Sequence, residues 1–236
     1  MKKKRKSLLV FLLSALMTIA MIPGMAFANE DGAAGGLMTA SNVKTESDYV
    51  ATVTQDGETT NCSTLSEALT YAETLCTKTG ASSSEITIQL MAGTIEPSSS
   101  GVEELYLPNT LKNVTIKGAD NHGTIIKNYT IKGGAYGDHN VDFESLTFNG
   151  IVFENSNIGI YPGSGSGTDV FKDITFTDNV FQDIERTGNI AALHIGDAIE
   201  NFTFNGNTID GVSGSYNSGI CANGSALKGE AAMIYR

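Results

Sequence analysis

The chain has 236 residues, enough for one large or two small domains with a buried core. Five of its 15 Lys and Arg lie in the first six residues, and the remainder carries 10 basic against 26 acidic side chains, a net charge of −16. That acidity excludes nucleic-acid binding and attachment to anionic membranes through basic patches, while 26 Gly, 17% charged residues and no Trp fit a β-rich, turn-dense extracellular protein.

Residues 1–28 read as an export signal. Lys2, Lys3, Lys4, Arg5 and Lys6 precede a 15-residue apolar run from Leu8 to Ile22, and Ala26-Phe27-Ala28 supplies a small-x-small cleavage site. At ~1.5 Å per residue the run covers about 22 Å of a ~30 Å hydrocarbon core, so a cleaved signal is expected rather than an anchor. No second apolar stretch could span a bilayer. Residues 29–48 lack periodicity and read as a flexible leader. Tyr49 to Val53 then alternates like a strand, and Gln55-Asp56-Gly57-Glu58 is a turn. A helix is expected over 64–78, opened by the capping box Thr64-x-x-Glu67 and carrying Leu65, Ala68, Leu69, Ala72 and Leu75 at helical spacing. A straight helix holds Cys62 and Cys76 ~20 Å apart, beyond the ~7 Å limit for a disulfide. Residues 49–85 thus form an N-terminal strand and capping helix.

From Ile86-Thr87-Ile88-Gln89-Leu90 onward the pattern has period two. Four segments line up: LKNVTIKG from Leu111, FESLTFNG from Phe143, FKDITFTD from Phe171 and IENFTFNG from Ile199. Their threonines, Thr115, Thr147, Thr175 and Thr203, are 32, 28 and 28 residues apart. The last two copies align without a gap for a whole period, pairing Asn179 with Asn207, Phe181 with Ile209, Ile184 with Val212 and Asn189 with Asn217. On that alignment Cys221 matches Leu193 and reads as a small buried hydrophobe, and His194 matches Ala222 and reads as an exposed strand residue. A 28-residue unit of three short strands with Gly, Asn and Asp at its corners suits one rung of a parallel β-helix, residues 86–228, whereas a β-sandwich would not repeat itself at this period. Alternation turns Leu146, Ile174, Phe202, Phe148, Phe176 and Phe204 inward. It leaves Thr147, Thr175 and Thr203 in one outward column, with Asn149, Thr177 and Asn205 in the next. Asn179 and Asn207 are expected to stack at a corner in the left-handed region. Leu227-Lys228 restarts the pattern and 229–236 drops it, so this end reads as irregular and truncated, with the last rung covered by further C-terminal domains or by a partner.

The helix before ITIQLMAGTI, followed by LKNVTIKG, SLTFNGIVFEN, DITFTDNVFQDI and NFTFNGNTIDGV, resembles the right-handed parallel β-helix proteins with pectate-lyase-like folds, especially repeat-containing secreted or surface proteins of Gram-positive bacteria. The resemblance covers roughly residues 49 to 228. It implies an all-β solenoid with a short N-terminal capping helix, C-terminally incomplete, in a family that includes lyases, hydrolases, tailspikes, adhesins and non-catalytic scaffolds. The polygalacturonase-like pattern is not met: there is no adjacent Asp pair and no R-x-K, and Asn121-His122-Gly123 matches only two positions of G-H-G. For the lyase-like pattern, only Arg186 and Arg236 remain as Arg after the signal.

The outward strand positions therefore carry hydroxyls and amides where the enzymes carry acids and bases. Thr147, Thr175, Thr203, Asn149 and Asn205 are the candidate ligand contacts, for a polysaccharide or cell-surface glycan. Asp138, His139 and Asp142 in a loop are the candidate metal or acid–base group. No cofactor is expected unless Ca²⁺ binds there. The leading reading is an exported, non-catalytic β-helix, the N-terminal part of a secreted or surface protein with a display, adhesion or glycan-contact role. The alternative is the N-terminal fragment of a pectate-lyase-like polysaccharide lyase or a glycoside hydrolase, and a structural fibre of phage or envelope stands behind both.

Overall fold

A computed structural model describes residues 49–133, 140–160, 169–185, 189–195, 199–213, 216–222, 227–228 and 232–233. The expected signal and leader lie outside these residues. The chain opens with β1 (Ala51–Gln55), which turns at Asp56 and Gly57 into β2 (Glu58–Cys62). Strand β2 has no apolar alternation and is a strand that the sequence pattern did not show. Helix α1 (Leu65–Thr77) follows, one residue inside the expected range at each end. The Glu67 N–H donates to Thr64 Oγ1 at 3.0 Å, and Glu67 Oε2 accepts from the Ser63 N–H at 2.8 Å, so the return bond of the capping box falls one residue ahead of the cap.

Five strand triplets then stack in parallel: β3 (Ile86–Leu90), β4 (Gly93–Ile95) and β5 (Glu103–Leu107); β6 (Thr110–Lys117), β7 (Thr124–Lys127) and β8 (Tyr129–Gly133); β9 (Asp142–Asn149), β10 (Val152–Glu154) and β11 (Asn157–Ile160); β12 (Val170–Thr177), β13 (Val180–Glu185) and β14 (Asn189–Ile195); β15 (Ile199–Asn205), β16 (Thr208–Ser213) and β17 (Tyr216–Ala222). Each triplet gives one strand to each of three sheets, which makes the fold a parallel β-solenoid. Strand β18 (Leu227–Lys228) restarts the first sheet against β15. Strand β19 (Ala232–Met233) also pairs with β15, within the stretch expected to be irregular, because ladder bonds are made by main chain and do not need the apolar-Thr-apolar pattern. At the other end β1 pairs antiparallel with both β3 and β2, and α1 packs on β1, β3 and β6 with Leu65, Ala68, Leu69 and Ala72 buried.

The interior follows the alternation. Leu146, Ile174, Phe202, Phe148, Phe176 and Phe204 are all buried. Phe148 and Phe176 stack at 4.9 Å and 4°, and Phe153 and Phe181 at 4.8 Å and 15°, so ring spacing equals the ~4.8 Å strand spacing.

Corners are made by columns of residues with left-handed backbone. One column is Asn113, Ser145, Asp173 and Asn201; another is Gly150, Asp178 and Gly206; the third is Asn128, Asn155, Asp183 and Gly211. Asn201 Nδ2 donates to Asp173 Oδ1 and Asn155 Nδ2 to Asn128 Oδ1, both at 2.8 Å. Asn179 and Asn207 stack as expected, with Asn179 Nδ2 donating to Asn207 Oδ1 at 2.9 Å, but the expected left-handed backbone is corrected: positive φ belongs to the residue before each, Asp178 and Gly206. The two asparagines point inward and are buried. Asn179 Nδ2 donates to the Phe148 carbonyl and Asn207 Nδ2 to the Phe176 carbonyl, while the Ile151 N–H donates to Asn179 Oδ1 and the Asn179 N–H to Asn207 Oδ1.

The third sheet also departs from the gapless repeat. Leu193 pairs with Ile220 and His194 with Cys221, and Asn189 pairs with Tyr216 instead of Asn217. The link from Glu185 to Asn189 is one residue longer than the link from Ser213 to Tyr216, which shifts β17 by one. Cys221 consequently takes the outward register of His194 and is half-buried, not enclosed among hydrophobes.

Candidate functional site on the outward face of the first sheet

Strands β3, β6, β9, β12 and β15 hold Thr87, Thr115, Thr147, Thr175 and Thr203 in direct register. The column is two rungs longer than the outward set Thr147, Thr175 and Thr203 expected from alternation: Thr115, already aligned by the repeat, joins it, and Thr87 extends it one rung before the first copy. Inward Val114, Leu146 and Ile174 on one side and Ile116, Phe148 and Phe176 on the other fix each threonine outward. Two residues further along each strand runs a second column, Gln89, Lys117, Asn149, Thr177 and Asn205. The grid repeats at ~4.8 Å along the solenoid and at about 6.6 Å between columns. Asn149 Nδ2 donates to the Thr177 carbonyl at 3.3 Å, and Gln89 Nε2 to the Lys117 and Gly118 carbonyls at 3.2 and 3.0 Å. Asn205 is exposed. Hydroxyls that both donate and accept, flanked by amides, can match a polymer rich in hydroxyls; the grid holds one charged group, Lys117.

The other candidate group is divided. Asp138 and His139 lie outside the described residues, as does Arg186. Asp142 opens β9 on the far side of the left-handed Ser145, on a different facet from the threonines. Its Oδ2 is 2.5 Å from Lys112 Nζ, which also stands 3.7 Å from Glu144 Oε2. Asp142 is the first cause that holds the Lys112 ammonium above its ordinary value. Asp142 Oδ1 is buried with no hydrogen-bond partner among the described residues. The same facet carries an alternating column, Lys112, Glu144, Lys172, Glu200 and Lys228. Sequence reasoning missed it, although each of the first four residues stands three positions before a column threonine.

Among the described residues no group of three or more His, Cys, Asp or Glu could hold a metal ion. All three cysteines are free, and burial pushes the Cys62 and Cys76 thiols up. His194 is half-buried at an outward register position between buried Leu193 and Ile195. His122 sits in a short 3-10 turn, Asp120–His122, and its Nε2 lies 2.6 Å from the Asp178 carbonyl, tying that inserted loop across the corner. On the third sheet Lys132 pairs with Glu104 and stands 5.7 Å from the Tyr106 ring centre. Lys132, then the Tyr106 hydroxyl, hold the Glu104 carboxyl below its usual range. A cleft of about 250 Å³ lies between the β1–β2 turn and α1, lined by Val53, Gln55, Asp56, Glu58, Tyr71, Leu75 and Lys78. No protein family, curated protein or solved structure matches the chain.

Proposed function

We propose that the chain is a non-catalytic β-solenoid module of an exported bacterial protein, displayed at the surface or secreted, which lays the flat grid of its first sheet against a polysaccharide or cell-surface glycan. The observation that carries this reading is the register of five outward threonines on consecutive rungs, with a second column of amides and hydroxyls beside them. A linear glycan presents hydroxyls at regular intervals, and many weak hydrogen bonds along a rigid grid add without a deep pocket. The signal at 1–28 supports export. The threonine-and-amide face lacks the carboxylate pair or cation-activated base that cleavage would need, and Asp142, the described member of the loop group, is engaged with Lys112 on another facet.

The test is retention of the mature protein on insoluble cellulose, chitin and peptidoglycan, beside a variant with Thr147, Thr175 and Thr203 each changed to Val. Valine keeps the β-branch and removes only the hydroxyl. The wild type should be retained on at least one matrix and the triple variant released, with both melting alike. Equal retention, or none by the wild type, would sink the reading. Ca²⁺-dependent product formation from pectate would move the chain to the polysaccharide lyases.

A further inference from the structure

The threonine column does not stop at the solenoid. Strand β1 pairs antiparallel with β3 and places Thr54 beside Thr87, and β2 pairs antiparallel with β1 and places Thr59 beside Thr54. Ala51, Val53 and Cys62 are buried, so alternation turns Thr52, Thr54, Thr59 and Asn61 to the outside. The Thr54 and Thr59 hydroxyls meet at 2.9 Å. Seven neighbouring strands thus carry threonine at one outward position, in the order β2, β1, β3, β6, β9, β12 and β15. The second column continues in the same way, since Gln89 pairs with Thr52 and Thr52 with Asn61. At the other end the threonines give way to Ala232 of β19, which stands beside Thr203. Duplication of a repeat accounts for Thr115, Thr147, Thr175 and Thr203, but not for Thr54 and Thr59. Strands β1 (ATVTQ) and β2 (ETTNC) are not copies of the repeat, and β1 runs against the direction of the rungs. The preference of threonine for strands selects neither a register nor a face. The shared position is therefore a property of the face and not of the repeat.

We infer that the two cap strands and the five rungs form one track for an uncharged, extended β-1,4-linked glycan that lies across the strands, one sugar to a strand. This rests on the glycan reading above and names its substrate class. Along a strand the flat face is short: in β9 only Thr147 and Asn149 point outward between the left-handed Ser145 and Gly150. Across the strands it runs for seven positions, about 29 Å at ~4.8 Å per strand. A β-1,4-linked chain in its extended form advances by about one strand spacing per sugar. An α-1,4-linked chain coils instead, and lifts its hydroxyls off a flat surface. The two columns, about 6.6 Å apart, reach opposite edges of one pyranose ring. Alternate sugars of the extended chain are turned over, and a threonine hydroxyl, which both donates and accepts, meets either edge. Lys117 is the one charged group in the two columns, and the acidity of the chain repels polyanions.

The test measures calorimetric binding of cello- and chito-oligosaccharides of three, five and seven sugars to the mature protein, beside malto-oligosaccharides of the same lengths. In at least one β-1,4 series the seven-sugar chain should bind at least about fivefold more tightly than the five-sugar chain, because two further strands each add hydroxyl contacts. The malto series should show no such gain. Thr54→Val together with Thr59→Val should bring the seven-sugar chain down to the affinity of the five-sugar one, with the melting midpoint kept. Equal affinity for five and seven sugars, a gain that survives the double variant, or a malto series bound as well as the β-1,4 series would each overturn the inference. Those results leave the proposed function standing as long as an insoluble matrix retains the wild type and releases the variant at Thr147, Thr175 and Thr203. Loss of that retention result sinks the proposed function, and the track with it.

Discussion

In the first two rungs the interior is aliphatic, with Ile86, Ile88, Val114 and Ile116 beneath a helix that buries Leu69 and Ala72, whereas the next three are filled by Phe148, Phe153, Phe176, Phe181 and Phe204 beside buried Asn179 and Asn207. The aliphatic rungs meet neighbours of other kinds, a helix and an antiparallel strand, and need only fill space. The phenylalanine rungs depend on their neighbours being the same. Of the identical rings in register on adjacent strands, Phe148 and Phe176 stack at 4° and Phe153 and Phe181 at 15°, whereas Phe143 and Phe171 meet edge-on at 66°. Toward β15 the match loosens, and Phe176 meets Phe204 at 6.3 Å and 42°.

The largest expected break in that contrast is Phe176→Ala, at about 3–5 kcal/mol in denaturant melts, because the ring is enclosed by others on both sides. Ile116→Val in the aliphatic rungs should cost only about 0.5–1.5 kcal/mol. Similar small losses at both sites would show that the aromatic column is not the stronger element. Asn179→Ala comes next. It removes the acceptor of the Ile151 N–H, at roughly 1–3 kcal/mol for the group left unsatisfied, and one donor to the Phe148 carbonyl. A variant as stable as the wild type would mean that water replaces the amide. Thr64→Ala tests the capped end and should cost about 1 kcal/mol, read from the shift of the melting midpoint.

The smallest effect is at Lys112, whose side chain is 40% exposed. Lys112→Ala should cost no more than about 1 kcal/mol and less in high salt. Asp142 raises the lysine above its ordinary 10.5, so the contribution is complete below that value and fades as pH rises through the higher folded-state value. A loss that begins on acidification instead would assign the pair's titration to another group.

Much of this arrangement was legible in the chain. The inward set and the threonine column follow from period two within period 28, since one register places every equivalent side chain. The third sheet was not legible, because a missing residue in one link and an added one in the next cancel over a full period, and a gapless alignment passes over both. The corners misled for a different reason. Asparagine favours left-handed backbone, but at 179 and 207 its amide is held inside by the carbonyls of Phe148 and Phe176, and the turn is made by Asp178 and Gly206. The Lys112 to Lys228 column stood in plain view, three residues before Thr115, Thr147, Thr175 and Thr203 and then one rung beyond, yet charge alternation emerges only when rungs are stacked. Strand β2 has no apolar pattern to find, since a strand at a sheet edge is defined by its neighbour's unpaired main chain.

The stacking of rungs also sets the kinetic character of the fold. Parallel pairings join residues from 26 apart, as Glu103 with Tyr129, to 35 apart, as Ile158 with Leu193. That separation is a property of the period and does not grow as rungs are added. Each new rung closes a loop of nearly constant length at nearly constant entropic cost, so relative contact order falls as such a chain lengthens, opposite to the trend expected of a sheet whose ends must find each other.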